Sequence, residues 1–161
     1  MNPLLQLIKA RLQNSINSKN RARLTNLSPS IIASNCTGGF LYHWLGLKFY
    51  SPFINLYLSP EDFIKALEYF DDFIQSDITE YTEGDFDYPV GIGFKGIIVH
   101  FMHYDTFASA YEKWNIRKKR INKNNMVIFL SNWGVTMINL NYLIVCHIKT
   151  KLYSLTKIIL K

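Results

Sequence analysis

Leu4, Leu5, Ile8, Leu12 and Ile16 recur at three- and four-residue intervals, with Lys9 and Arg11 between them. This spacing predicts an amphipathic basic helix over residues 4–16. Its apolar stripe is expected to pack on the rest of the chain; the alternative use of such a stripe is contact with a membrane surface. Asn14–Ser28 is polar and reads as a loop. Ile31–Ser34 is a short apolar run, the pattern of a buried strand. Phe40–Leu45 then reaches Gly46, a helix stop. Tyr50-Ser51-Pro52 marks a turn, and Phe53–Leu58 reads as a further strand. Ser59-Pro60-Glu61-Asp62 is a helix start: a capping hydroxyl, proline in the first turn, then two acids suited to the positive end of the dipole. Phe63, Leu67, Phe70 and Ile74 continue that helix on one face.

Beyond an acidic loop at 76–87, Tyr88–Ile92 and Gly96–Phe101 read as strands, the second as a central one. Asp105 is placed to cap a third helix with Phe107, Ala110, Tyr111, Trp114 and Ile121 directed inward. Met126–Leu130 reads as the last strand. Strands alternating with helices predict an α/β fold, a layered domain with a mixed sheet flanked by helices. The division expected is an N-terminal helix and loop over 1–24, the α/β domain over 25–134, and a tail of different character over 135–161.

Composition narrows this picture. The 161 residues suffice for one domain with a real core, and no run approaches the ~18 apolar residues of a membrane span. Met1-Asn2-Pro3-Leu4 lacks the basic start and apolar centre of a secretion signal, so a cytoplasmic location is expected. Two cysteines, Cys36 and Cys146, do not suggest a disulfide framework. The net charge is +6, and all 12 acids lie between Glu61 and Glu112, which leaves both flanks purely basic. Such flanks attract phosphate on nucleotide sugars or lipid head groups, or else are ordinary solvated lysines. The aromatics follow core spacing and do not interleave with cations, so nucleic acid is not an expected partner.

Ser34-Asn35-Cys36-Thr37-Gly38-Gly39 carries the first candidate chemistry. If the strand at 31–34 runs into a helix near Gly38, then Asn35 and Cys36 sit at a corner where α/β sheets collect ligands. Amides at a helix start attract anions and lower the pKa of a thiol, so Cys36 reads as nucleophile or anion-site residue. Gly38 and Gly39 allow a phosphate or another backbone to approach. The competing reading is a small buried cysteine in a tight turn. His100 and His103 lie at the end of the Gly96–Phe101 run and are candidate general bases for that thiol. Two histidines alone make only two ligands, so no metal site is expected. Arg117 and Arg120, three apart, can face one way and clamp a diphosphate, or belong to a solvated helix face.

These stretches occur in a fixed order together with Leu45-Gly46-Leu47, Tyr50-Ser51-Pro52-Phe53, Pro60-Glu61-Asp62, Tyr88-Pro89-Val90-Gly91 and Trp114-x-x-Arg117-x-x-Arg120-Ile121-Asn122. Over roughly residues 25–133 the chain resembles the bacterial family called domain of unknown function 1919. Family members more often carry tryptophan where Thr37 stands. The resemblance implies an α/β fold and a link to exopolysaccharide or capsule biosynthesis, with some members loosely called acyltransferases or glycosyltransferases. It supplies no catalytic residues. Two functions follow as expectations: a sugar transferase using a nucleotide sugar or acyl donor, or a non-catalytic assembly protein of the same machinery. No recognised metal-binding Asp-x-Asp, Gly-rich dinucleotide loop or hexapeptide repeat is read in the chain, which sets aside three transferase classes and leaves acyl transfer and metal-independent glycosyl transfer as the expectation. No cofactor can be named.

After Gly134 the character changes. Val135–Lys161 holds no acid, glycine or proline. Leu143–Lys161 can be encoded by DNA whose neighbouring frame reads DSLPYKNKIIFTNKDYS and then a stop, text closer to the family. A frameshift near Gly134 is therefore expected, which leaves Cys146 and His147 without a functional meaning.

Overall fold

The computed structural model describes residues 3–130; the tail, and the frameshift expected there, lie outside the described residues. Helix α1 (Pro3–Ala22) opens the chain. Strand β1 (Ser30–Ala33) leads into α2 (Thr37–Leu45), followed by α3 (Pro60–Glu68) and α4 (Phe70–Gln75). Strands β2 (Thr79–Glu80), β3 (Val90–Ile92) and β4 (Ile98–His100) come next, then α5 (Phe107–Lys118) and β5 (Met126–Phe129).

The fold is α/β. β1 and β5 pair in parallel, Ser30 opposite Met126 through Ala33 opposite Phe129. β2, β3 and β4 form an antiparallel sheet in that order. Residues 57 and 58 stitch the two sheets together. Tyr57 and His100 exchange backbone hydrogen bonds of 2.8 and 2.9 Å, while the Leu58 N–H donates to the Ser34 carbonyl at 2.9 Å. The strand expected over Phe53–Leu58 is thus reduced to one bridge. Asn55 takes φ 59°, and the Ile54 N–H folds back onto the Pro52 carbonyl, so a continuous ladder is impossible there.

Local signals explain the helix ends. Gly46, at φ 63°, closes α2 in the left-handed conformation, with its N–H on the His43 carbonyl. The Ser59 hydroxyl accepts the Asp62 N–H at 3.1 Å and starts α3. α5 is capped by Thr106, one residue after the expected Asp105, because the Thr106 hydroxyl is the one that reaches the Ser109 N–H. It ends at Lys118, so Ile121 lies beyond it. The long helix expected from Phe63 to Ile74 breaks at Tyr69, whose φ of −109° ends α3 and starts α4.

The main core is aromatic. Phe53, Phe63, Phe73, Phe101 and Trp114 are all fully buried. Trp114 lies 5.6 Å from both Phe53 and Phe73, at tilted angles that suit the ring quadrupoles. Its indole nitrogen is buried without a hydrogen-bond partner. Tyr42 fastens α2 to β1: its hydroxyl donates to the Pro29 carbonyl at 2.6 Å and accepts the Ile31 N–H at 2.8 Å. Burial pushes this phenol up to about 12.

α1 departs from expectation twice. The helix continues through the polar stretch to Ala22, because Gln13 bonds Asn17 one turn on at 2.9 Å and Arg21 reaches the Trp44 carbonyl at 3.2 Å. And the apolar stripe stays largely exposed, where packing on the rest of the chain is expected. Leu4, Leu5, Ile8, Leu12 and Ile16 are between 46% and 62% exposed, whereas Asn17 is the buried residue of the helix.

Candidate functional site

Cys36 stands immediately before α2, at the carboxyl end of β1, as the strand-to-helix pattern predicts. Asn35 shapes the corner: its side-chain oxygen accepts the Thr37 N–H at 3.0 Å. The thiol does not join the helix amides. Cys36 has right-handed backbone angles and makes no side-chain cap, and its Sγ donates to the Leu56 carbonyl at 3.8 Å. The expected fall in its pKa is therefore reversed, since burial pushes the Cys36 thiol up.

The glycine pair serves close packing against the protein's own chain. A Cβ on Gly38 would meet the Ala33 Cβ at 3.1 Å and the Phe53 carbonyl at 3.3 Å. A Cβ on Gly39 would meet the Asn55 Oδ1 at 3.3 Å. Of the two partners that glycines admit, a backbone or a phosphate, the structure supplies a backbone at Gly38.

α5 delivers Arg117, and the turn after it delivers Arg120. The Arg117 Nη1 donates to the Tyr104 hydroxyl at 2.7 Å, and its guanidinium lies 4.9 Å from the Phe49 ring centre. Arg120 donates to the Phe49 carbonyl at 3.2 Å. The two arginines thus converge on one residue, as their spacing of three allows. The Tyr104 hydroxyl in turn donates to the Ile54 carbonyl at 3.2 Å. Burial raises the Tyr104 phenol; the Arg117 guanidinium eases the rise, and the nearby Cys36 thiol adds to it. The Cys36 thiol and the Tyr104 hydroxyl donate to carbonyls two residues apart, Leu56 and Ile54, so thiol, phenol and guanidinium border the same segment.

The histidines are not bonded to the thiol. The His100 ring is boxed by Phe86 at 5.3 Å, Tyr57 at 5.6 Å and Tyr88 at 5.9 Å. Its Nδ1 is buried and unpaired. Burial lowers the His100 pKa, and the Asp62 carboxylate partly restores it. His103 is exposed in the loop before Tyr104. Among the described residues no hydrogen bond joins Cys36 to either imidazole.

Two groups escape a reading of the sequence. Tyr104 sits in a motif already noticed, but periodicity gives no hint that its hydroxyl joins Arg117 to Ile54. Asp85-Phe86-Asp87 does have the Asp-x-Asp spacing expected to be absent, and it sets two exposed carboxylates on either side in sequence of the ring that packs on His100. Among the described residues no three His, Cys, Asp or Glu side chains gather as a metal set.

Corner, glycine packing and arginine pair together describe an α/β domain with one polar neighbourhood at the end of β1. The chain belongs to the family described as domain of unknown function (DUF1919), whose model matches residues 7–142. It is similar to a protein of Haemophilus influenzae (strain ATCC 51907 / DSM 11121 / KW20 / Rd) named "Uncharacterized protein", with 36% identity over 140 residues, covering 84% of this chain and 67% of that protein. No described helix is long and apolar enough to cross a membrane.

Proposed function

We propose that this domain acts in surface-polysaccharide synthesis as a transferase, holding the phosphate of a nucleotide sugar or acyl donor beside Cys36, Tyr104 and Arg117. The observation that supports this reading is the Arg117 guanidinium, fixed by the Tyr104 hydroxyl at 2.7 Å, while that hydroxyl and the Cys36 thiol donate to carbonyls two residues apart, Ile54 and Leu56. One donor of the fork is used there, which leaves others for bidentate contact with phosphate. In this reading the protonated thiol is a polar contact and not a resting nucleophile. His103, exposed beside Tyr104 in sequence, is the imidazole left to act as base.

The test is a thermal-shift screen of the full chain against nucleotide sugars and acyl-coenzyme A. A ligand at 100 times its Kd stabilises by about 2.7 kcal/mol. One donor class is expected to raise the midpoint, and Arg117→Ala to abolish that rise. If no donor stabilises the protein, the second reading is the better one: a non-catalytic assembly protein of the same machinery. That alternative is favoured by the outward apolar face of α1.

We also propose a frameshift in the gene. The family match runs past Gly134 to residue 142, directly before the Leu143–Lys161 stretch whose neighbouring frame reads more like the family. We place the slip between those points. Sequencing the gene across it tests this, and a continuous frame would overturn it.

A further inference from the structure

We propose that α1 is an in-plane anchor that lays its apolar stripe on an anionic lipid surface. The inference stands apart from the donor-site reading and rests on the inverted packing of this helix. At about 100° per residue, Leu4, Leu5, Ile8, Leu12 and Ile16 fall within an arc of about 120°. Arg11 borders one edge of the arc and Lys9 the other. All five apolar side chains are between 46% and 62% exposed. The opposite face is the covered one, and Arg21 ties it to the body. Asn17 is buried there and accepts from Gln13, and Arg21 donates to the Trp44 carbonyl at the end of α2. A helix attached by its polar side and presenting its leucines outward has the layout of an interfacial helix.

Charge selects the occupant. Residues 1–60 contain no Asp or Glu, while α1 carries Lys9, Arg11, Lys19 and Arg21. A second copy would set the same cations against these. Nucleic acid would meet the cations and leave the leucines in water. An anionic bilayer satisfies both features at once: the stripe enters the acyl boundary, and Lys9 and Arg11 reach head-group phosphates on either side. α1 is too polar to cross the bilayer, which leaves it lying in the surface plane.

The experiment is co-sedimentation of the full chain with phosphatidylcholine vesicles, with and without phosphatidylglycerol. Binding is expected to be at least about tenfold stronger on the anionic vesicles and to weaken with salt, each basic residue near the surface adding to the attraction. Ile8→Ser with Leu12→Ser is expected to lose binding to both vesicle types. Lys9→Glu with Arg11→Glu is expected to lose the preference for phosphatidylglycerol. These positions are exposed, so the circular-dichroism spectrum and thermal midpoint of both variants should match the parent. Equal partition to the two vesicle types, no partition to either, or partition that ignores both double variants would overturn the proposal. So would a dimer in lipid-free buffer that becomes a monomer with Ile8→Ser and Leu12→Ser, because a second copy would then own the stripe.

Discussion

α1 and α3 look alike in sequence and behave oppositely in the fold. Each repeats apolar residues at intervals of three and four. In α3, Phe63, Ile64, Ala66 and Leu67 are buried, and the acids Glu61 and Glu68 face water. In α1 the leucines face water and Asn17 is buried. Their charges differ too: residues 60–75 hold Glu61, Asp62, Glu68, Asp71 and Asp72 against Lys65, whereas α1 has cations only. Periodicity identifies a stripe but not its destination. The destination of α3 is set by the aromatic core it closes, with Phe63 against Phe53 at 6.3 Å. In α1 it is Asn17 that is buried and Arg21 that bonds the Trp44 carbonyl, while the stripe stays exposed.

The largest expected effect sets these helices directly against each other. Phe63→Ala removes a fully buried ring and should lower unfolding free energy by about 3–5 kcal/mol in urea titrations. Leu12→Ala, at a position 60% exposed, should stay within about 0.5 kcal/mol. Equal losses would mean that α1 packs its leucines after all.

A smaller effect should appear within α1 itself. Asn17→Ala breaks the hydrogen bond from Gln13 at the buried contact and should cost about 1 kcal/mol, read as a lower thermal midpoint. Ile16→Ala, the exposed neighbour, should leave the midpoint in place. The reverse ranking would break the claim that the polar face is the attached one.

The smallest effect tests the acidic region by pH. His100 has a folded pKa below its ordinary 6.5 because burial disfavours the imidazolium. Its contribution to stability is therefore complete above pH 6.5 and is lost as pH falls through that value toward the lower folded pKa. Wild-type stability measured in urea from pH 7 to pH 5 should thus fall more steeply than that of His100→Leu. Parallel curves would show that His100 is solvated, and its aromatic box open.

Much of the fold was legible because its signals are local. Gly46 ends α2, Ser59 and Pro60 start α3, and the β1 to α2 corner lies where the apolar run breaks. These features depend on hydrogen bonds a few residues apart. The site was legible only in pieces. Asn35, Cys36, Arg117 and Arg120 are all recognisable residue types in the sequence, but Tyr104 is what connects the thiol neighbourhood to the guanidinium. The thiol's direction was misleading, since a helix start predicts a lowered pKa and burial beside Leu56 raises it.

The amino-acid pattern by itself determined which segments become helices, where several of them stop, and that the acids are confined to one stretch of chain. Capping, backbone sterics and charge order are properties of neighbours in sequence, so they need no partner to be read. The tertiary structure decided which face of α1 is covered, why Phe53–Leu58 makes one bridge in place of a strand, and which side chain stands beside Cys36. Each of those depends on groups 20 or more positions apart, such as Arg21 on Trp44, His100 on Tyr57 and Cys36 on Leu56. Burial and hydrogen-bond satisfaction across such distances are set only when the whole chain has closed.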